Sequence, residues 1–215
     1  MLAAYTFNTQ YQPFGSSSMP QLRLLEGGRF MGGDYAPILL KEEQSVRLKY
    51  FRWGLITDVM QVRPEREARL FVTAEQALRQ PTYLSLLRRQ RCLIPTDGFY
   101  TQGTLDQEAQ ALKLSQSNGH AFCLAGLYEV HQQADGQLLH SFAVLTKPSP
   151  LRMSRCGERM PVILPKNVEA TWLDPYTDLN KIQKLLQLPS GAGLSVHPVQ
   201  ELRLPAAAQM DPVAA

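Results

Sequence analysis

Cysteines, metal-ligand spacings and long apolar runs are all scarce in this chain of 215 residues. The three cysteines are an odd number, and Cys92 and Cys123 lie in apolar runs. That pattern predicts buried free thiols in a reducing compartment, not a disulfide framework. No CxxC pair or Cys/His spacing indicates a zinc site. No run reaches the roughly 20 apolar residues that span a bilayer, and the first residues lack a signal-peptide pattern. We therefore expect a cytoplasmic protein with no membrane segment, no metal and no cofactor.

The composition is that of a folded domain. Hydrophobic residues make up 44% of the chain and charged residues 19%, which are ordinary values for a globular protein. A domain of this length buries roughly 70% of its unfolded surface, so it needs no disulfide to be stable. We expect a single monomeric domain over residues 1–205, followed by a flexible tail over residues 206–215.

Basic residues are concentrated in the first half of the chain. Residues 1–100 hold 13 of the 22 Lys and Arg but only 9 of the 19 Asp and Glu, while the formal net charge of the whole chain is +3. An uneven distribution of this kind suits a polyanion such as nucleic acid. Solvated surface charges produce the same pattern, so the charge alone leaves both interpretations open.

The apolar pattern predicts many strands and few, short helices. Alternation indicates a strand at Val46–Trp53, and the runs Ala121–His131 and Leu138–Thr146 indicate a hairpin through Asp135-Gly136. Residues 8–35 and 103–111 are predicted as loops, apart from an apolar piece near Leu22–Leu25. Further strands are predicted at Ala36–Leu40, Cys92–Pro95, Phe99-Tyr100, Met160–Leu164 and Leu194–Val199. Helices are predicted within Ala74–Arg91, broken at Pro81 with Thr82 capping the second piece, and at Asn167–Leu173 and Leu179–Leu186, with Asn167 and Asp178 as caps. This order favours an α+β domain built on antiparallel sheet.

Four segments, taken in order, resemble the SOS response-associated peptidase (SRAP) family. They are Phe51–Ile56, Arg91–Tyr100, Phe122–Glu129 and Arg159–Leu164, and the runs Ser141–Thr146 and Val196–Val199 fit the later strands of the family. The resemblance spans roughly residues 1–200. It implies an SRAP-like fold, in which antiparallel sheets form a barrel-like core with short flanking helices.

The same resemblance implies covalent capture of abasic sites in single-stranded DNA. In the family, removal of the initiator Met exposes a Cys, whose α-amine and thiol close a thiazolidine on the ring-opened sugar. An Asn, a Glu and a His assist. The chemistry is reasonable, because an amine forms a Schiff base, a thiolate closes the ring, and an acid and an imidazole transfer protons.

This chain departs from the family at the reactive positions. The Cys, Glu and His positions hold Leu2, Thr101 and Gly157. The Asn falls on Phe71 if the family's following Glu is Glu75; alternatively, Ala68-Arg69 is the family's Ala-Arg pair with a short insertion behind it. The surrounding apolar frame persists, so we predict a degenerate member that does not form the thiazolidine.

Basic and aromatic side chains near these positions are candidates for DNA contact. Trp53 could stack on a base, or it could be a core tryptophan. Arg159 could hold a phosphate, or it could pair with Asp97 or Glu158. Arg88, Arg89 and Arg91 could contact DNA, but basic residues are also favoured where a helix ends. Arg52 completes the set of DNA-binding candidates.

Three further residues have a structural alternative. Glu75 could be a remnant carboxylate of the site, or a residue favoured at a helix start. Asp97 could be another remnant, but beside Gly98 it is typical of a turn. Cys156 could replace the missing thiol, although it would lack the adjacent α-amine that the ring needs.

Three functions follow from these alternatives. The first is a binding protein that holds single-stranded or abasic-site DNA non-covalently in a DNA-damage context. The second is a protein-interaction or structural module in which the former site is closed. The third is residual abasic-site chemistry, in which the Met1 α-amine forms a reversible Schiff base.

Overall fold

The computed structural model describes residues 2–7, 28–43, 45–57, 68–105, 108–133, 136–189 and 193–199. Met1, Leu22–Leu25, Asp135 and the predicted tail lie outside these residues. The described part contains thirteen strands: β1 Leu2–Phe7, β2 Gly28–Met31, β3 Tyr35–Glu42, β4 Ser45–Trp53, β5 Phe71–Thr73, β6 Arg91–Thr96, β7 Gly98–Leu105, β8 Glu108–Gln116, β9 Phe122–Gln132, β10 Leu138–Pro148, β11 Arg159–Pro161, β12 Ile163–Leu164 and β13 Leu194–Pro198. Its α-helices are α1 Ala74–Arg79, α2 Pro81–Arg89, α3 Glu169–Leu173 and α4 Leu179–Gln187.

Five strands close into a barrel. β3 pairs with β4 and β6, β6 pairs with β9, β9 pairs with β10, and β10 pairs with β4. The predicted barrel-like core is therefore confirmed. The β10–β4 pairing is parallel, as is the pairing of β10 with β5, whereas the sequence predicts antiparallel sheet. The reason is topological, since a closed ring with an odd number of strands cannot alternate direction at every step.

A second sheet of five strands lies beside the barrel, in the order β13-β8-β7-β1-β2. All its pairings are antiparallel. The hairpin of β7 and β8 occupies most of residues 103–111, and β2 lies within residues 8–35, so both loop predictions are wrong at these places. In β8 only alternate residues such as Leu112 and Leu114 are fully buried. The other residues of β8 are polar or small, so the hydrophobic signal of this strand is weak in the sequence.

Runs of five or six consecutive residues are buried in β3, β6, β9 and β10, so these barrel strands are covered on both faces there, whereas β4 is partly exposed. Along β10, Phe142 and Val144 pack into the cluster that also contains residues of the second sheet, whereas Ala143 and Leu145 pack with the helices. All six residues of β6 are buried. Strands covered on both sides read as continuous apolar runs, which is why the sequence identifies β6, β9 and β10 readily.

The helices cover one side of the barrel. α1 begins with a capping box, in which Thr73 and Gln76 each bond the backbone of the other. α2 begins at Pro81 and its N-cap is Gln80, so the prediction that Thr82 caps this helix is wrong. Asn167 lies in a 3₁₀ turn before α3 and is not a cap either, whereas Asp178 caps α4 as predicted. Within the described residues, no helix has the length and apolar character needed to cross a membrane.

Arg91 joins the helices to the barrel. It is 3% exposed, and its guanidinium donates to the carbonyl oxygens of Leu87 and Trp172 at 2.6 Å each. It also donates to the carbonyls of Arg88 and Asp174. Burial lowers its pKa to about 10, although Asp174 opposes that effect. Arg91, the first residue of β6, therefore serves the fold, and its guanidinium is not available to DNA.

Arg91→Met tests this role. Four carbonyl oxygens would lose a charged donor while the side-chain volume is largely kept, so we expect the free energy of unfolding to fall by about 3 kcal/mol or more. Arg89→Met removes an exposed charge two residues away and should change stability by less than about 0.5 kcal/mol. Urea unfolding followed by tryptophan fluorescence measures both variants. Equal midpoints would contradict the structural role.

Candidate functional site

Leu2, Thr101 and Gly157 come together on neighbouring elements. β1 and β7 pair with Leu2 opposite Thr101, just before an irregularity in the register at Ala4. Gly157 follows the 3₁₀ helix Leu151–Cys156, and a Cβ added to it would lie 3.6 Å from the Thr101 Oγ1 atom. The positions that the family resemblance assigns to Cys, Glu and His therefore form one locus, termed the reaction locus below.

Thr101 holds the 3₁₀ helix against β7. Its side chain is 3% exposed, and Oγ1 donates to the carbonyl oxygen of Cys156 at 3.0 Å. Two residues along β7, a Cβ on Gly103 would lie 2.3 Å from the Arg155 carbonyl oxygen. This close approach requires glycine. Sequence reasoning missed Gly103, although a glycine inside a strand is a known signal of backbone contact.

Gly157 has a backbone conformation that favours glycine. Its φ is +124° and its ψ is 157°, a region that L-residues rarely adopt. Its N–H bonds the Ser154 carbonyl oxygen at 3.1 Å, which ends the 3₁₀ helix. An imidazole at this position would require a different backbone as well as a different side chain.

Phe71 lies with the aromatic core. It pairs with Val144 of β10, and its ring meets Trp53 edge-on with centroids 5.8 Å apart. In the alternative placement of the family's Ala-Arg pair, Arg69 has an exposed side chain and exchanges backbone bonds of 2.9 Å with Leu55. Among the described interactions, neither Phe71 nor Arg69 contacts Thr101.

Trp53 is a core residue in this conformation. It is 0% exposed, its Nε1–H donates to the Leu70 carbonyl oxygen at 2.9 Å, and its ring packs between Tyr5 and Phe142. Stacking a base on Trp53 requires an exposed ring face. The structure does not offer one, so the alternative of a buried tryptophan fits better.

Arg159 forms an ion pair close to the reaction locus. Its Nη2 donates to the Glu75 carboxylate at 2.6 Å and to the Thr146 carbonyl oxygen at 3.1 Å. The partner is thus Glu75, not Asp97 or Glu158. Burial raises the pKa of Glu75, but a backbone hydrogen bond and the bond and charge of Arg159 outweigh it, and the net pKa is lowered. The carboxylate serves both the start of α1 and this ion pair.

Asp97 has the structural role expected at a turn. It lies between β6 and β7 and accepts a hydrogen bond of 2.5 Å from the Thr6 hydroxyl. Its own N–H donates to the Thr6 carbonyl oxygen at 2.9 Å. Both bonds tie the β6–β7 turn to β1.

The other basic candidates lie at different places. Arg88 and Arg89 are exposed at the end of α2, just before β6, whereas the reaction locus follows the opposite end of β6. A six-residue strand separates them by roughly 20 Å. Arg52 is half-buried on β4, opposite Tyr35 and Ser141. The structure does not bring these three arginines together.

No activated thiol occurs among the described cysteines. Cys156 is 5% exposed, and burial raises its pKa more than Arg155 lowers it. Burial also raises the pKa of Cys92. All three cysteines are buried thiols outside any disulfide, as predicted. Within the described ranges, no group of three His, Cys, Asp or Glu residues could hold a metal ion.

Comparisons with known proteins agree with this fold and with the ordered motifs. The family model described as SOS response associated peptidase (SRAP) matches residues 17–202. The abasic site processing protein YobE of Bacillus subtilis is 35% identical over 153 residues, which cover 69% of this chain and 68% of YobE. The abasic site processing protein YoqW of the same organism is 33% identical over 169 residues, covering 76% and 74%.

Two crystal structures from Bordetella bronchiseptica share the fold. One protein has a TM-score of 0.73 at 19% identity, covering 93% of this chain and 100% of its own. A phage-related protein has a TM-score of 0.72 at 21% identity, covering 93% and 94%. At these identities the likeness concerns the fold.

Gly157→Ala tests the backbone constraint at the reaction locus. A Cβ at φ +124° should cost about 1–3 kcal/mol of stability. Gly28→Ala is the matched control, because its Cβ would meet only Phe30 at 3.5 Å; we expect a change below about 1 kcal/mol. Chemical denaturation compares the two. A neutral Gly157→Ala would mean that the turn relaxes without strain.

The Arg159–Glu75 pair predicts a pH dependence. Because the pKa of folded Glu75 is lowered, its contribution is present above the unfolded value of ~4.3 and is lost as pH falls through the folded value. The stability difference between the wild type and Glu75→Gln should therefore shrink between about pH 5 and pH 3. Glu108→Gln, at an exposed position that starts β8, is the control. The measurement is the urea unfolding midpoint of each protein across this pH range. A difference between the wild type and Glu75→Gln that stays constant with pH would contradict the prediction.

Proposed function

The chain belongs to the SOS response-associated peptidase family, and we propose that it binds single-stranded or abasic-site DNA non-covalently, in a DNA-damage context, without forming the thiazolidine crosslink. The observation that carries this proposal is the reaction locus itself. It joins Leu2, Thr101 and Gly157, so the residues that would supply thiol, acid and imidazole are absent together.

The chemistry of the locus argues against crosslinking. Ring closure requires a thiolate next to an amine. Cys156 lies nearest in sequence to Gly157, but it is buried with a raised pKa and its carbonyl is bound by Thr101. The Glu75 carboxylate is engaged by Arg159. Neither group is placed to replace the missing acid or nucleophile.

Basic side chains near the locus support a DNA partner. Arg152 and Arg155 are exposed on the 3₁₀ helix that packs on β7, and Arg159 follows the same segment. Guanidinium groups bind phosphate oxygens through paired N–H donors. The relatives YobE and YoqW are named as abasic site processing proteins, which makes abasic-site DNA the natural ligand to test.

A second function is favoured by the closed packing of Thr101. Its side chain is 3% exposed and its hydroxyl is engaged by Cys156. A site closed in this way suits a protein-interaction or structural module that no longer admits DNA. Binding measurements separate the two proposals.

The deciding experiment combines binding with a crosslinking assay. We expect fluorescence anisotropy with labelled 20-nucleotide single strands, intact or with one abasic site, to give micromolar dissociation constants. These constants should increase as the salt concentration rises, because binding weakens. Denaturing gels of the same mixtures should show no heat-stable adduct. Arg155→Gln should weaken binding about 3–10-fold at low salt, whereas Lys184→Gln, on the remote helix α4, should not.

Each other outcome supports a different function. Absence of binding at micromolar protein concentrations would support the second function, a protein-interaction or structural module. An adduct seen only after borohydride reduction would support Schiff-base chemistry at the Met1 α-amine. A heat-stable adduct without reduction would overturn the proposal of a non-crosslinking protein.

A further inference from the structure

In the second sheet, β7 and β8 have one face in the core and one face that is partly exposed. Phe99 of β7 and Leu112 and Leu114 of β8 pack into the core cluster. Successive residues of a strand point to opposite faces. Tyr100 and Lys113 therefore point away from the core, on the side of β7 opposite Thr101.

Register aligns three of the outward residues in one row. Tyr100 lies opposite Lys113, and Lys113 lies opposite His197 of β13. Adjacent strands are about 4.8 Å apart, so the row crosses roughly 10 Å of sheet. His197 is exposed, and Tyr100 and Lys113 are half-buried. We call this row, with the outward residues around it, the outer face.

The described outward residues of β7, β8 and β13 include no carboxylate, although Asp97 lies beside them, next to Gly98, and accepts a hydrogen bond from the Thr6 hydroxyl. These outward residues are Gly98, Tyr100, Gln102, Thr104, Ala109, Ala111, Lys113, Ser115, Ser195 and His197. A neutral or cationic strip of this kind attracts anions instead of repelling them.

Lys113 differs from the three cations that form the described ion pairs. Lys41, Lys49 and Arg159 each pair with a carboxylate. The Lys113 ammonium instead lies 5.8 Å from the centroid of the Tyr100 ring. Its stem crosses Gly98, where an added Cβ would lie 2.8 Å from Lys113 Cε. Glycine at this position thus leaves room for the lysine to lie along the sheet.

From this arrangement we propose that the outer face binds a short stretch of single-stranded nucleic acid, with Lys113 on a phosphate and Tyr100 against a base. A flat sheet with an aromatic ring and a nearby cation matches what single strands require, namely a stacking surface and backbone neutralisation. The proposal extends the proposed function by adding a contact surface separate from the reaction locus.

Four variants test the outer face with the full chain. The probe is an intact, fluorescein-labelled 20-nucleotide oligo-dT, titrated at several salt concentrations. Lys113→Gln should weaken binding about 3–10-fold at low salt and reduce the salt slope by about 0.7. Tyr100→Leu should weaken binding at least about 5-fold, and Tyr100→Phe, which keeps the ring, should bind as the wild type does. Lys184→Gln is the charge-matched control, since it removes one exposed lysine on α4.

The outcomes separate this proposal from the proposed function. If the wild type binds but Lys113→Gln behaves as Lys184→Gln does, the outer face is not a contact surface, while the DNA-binding function stands. If the wild type does not bind, both proposals fail. If polyglutamate of equal charge competes as well as oligo-dT, the face binds polyanions in general and the assignment to nucleic acid is overturned. Thermal unfolding of each variant shows whether Tyr100→Leu remains folded, and Lys113→Gln gives an independent result if it does not.

Discussion

The closure of the barrel through β10 is the constraint on which the rest of the structure depends. β10 pairs with β4, β5, β9 and β11. The parallel pairing with β5 places the start of α1 beside Thr146, and the antiparallel pairing with β11 brings Arg159 back to the same residue. The Arg159–Glu75 pair forms because both partners are anchored to one strand. Moving the register of β10 would therefore disturb the ion pair as well as the core.

The reaction locus depends on this frame for its shape but not for its chemistry. The segment between β10 and β11 forms the 3₁₀ helix, which lies on β7 at Gly103 and is held there by the Thr101 hydroxyl. Threonine is short enough to bond a carbonyl oxygen that approaches this closely. The Thr101 hydroxyl and the Cys156 carbonyl oxygen satisfy each other away from water.

The sequence predicted the strands with long apolar runs and the alternating strand β4, but it missed most of the β7–β8 hairpin, where polar or small residues predominate. β6, β9 and β10 are apolar on both faces and were located within a few residues. The start of β8 was assigned to a loop because residues 108–111 are polar or small and none of them is buried. The parallel β10–β4 pairing was not predictable from local pattern, because it follows from the odd number of strands in the ring.

The sequence motifs proposed positions for the site but did not predict the partners of the side chains there. The ordered motifs identified Thr101 and Gly157, and the structure brings them together. The same motifs could not show that Trp53 is enclosed by aromatic rings from three other strands, since those contacts join distant parts of the chain. The pairing of Arg159 with Glu75 spans 84 residues and was missed for the same reason. Contacts of this kind depend on the closed topology, not on neighbouring residues.

The backbone at Gly157 restricts which side chains this position can hold. Once the position holds glycine, the backbone can adopt a φ of +124°, and the 3₁₀ helix can end there with its carbonyl presented to Thr101. A side chain restored at this position would meet a backbone that disfavours it, at a cost of about 1–3 kcal/mol. The side chains at the three positions therefore constrain one another through the backbone. Replacement of one residue alone does not recreate the geometry that an acid and an imidazole would need, which is a physical reason for the three positions to differ from the family pattern together.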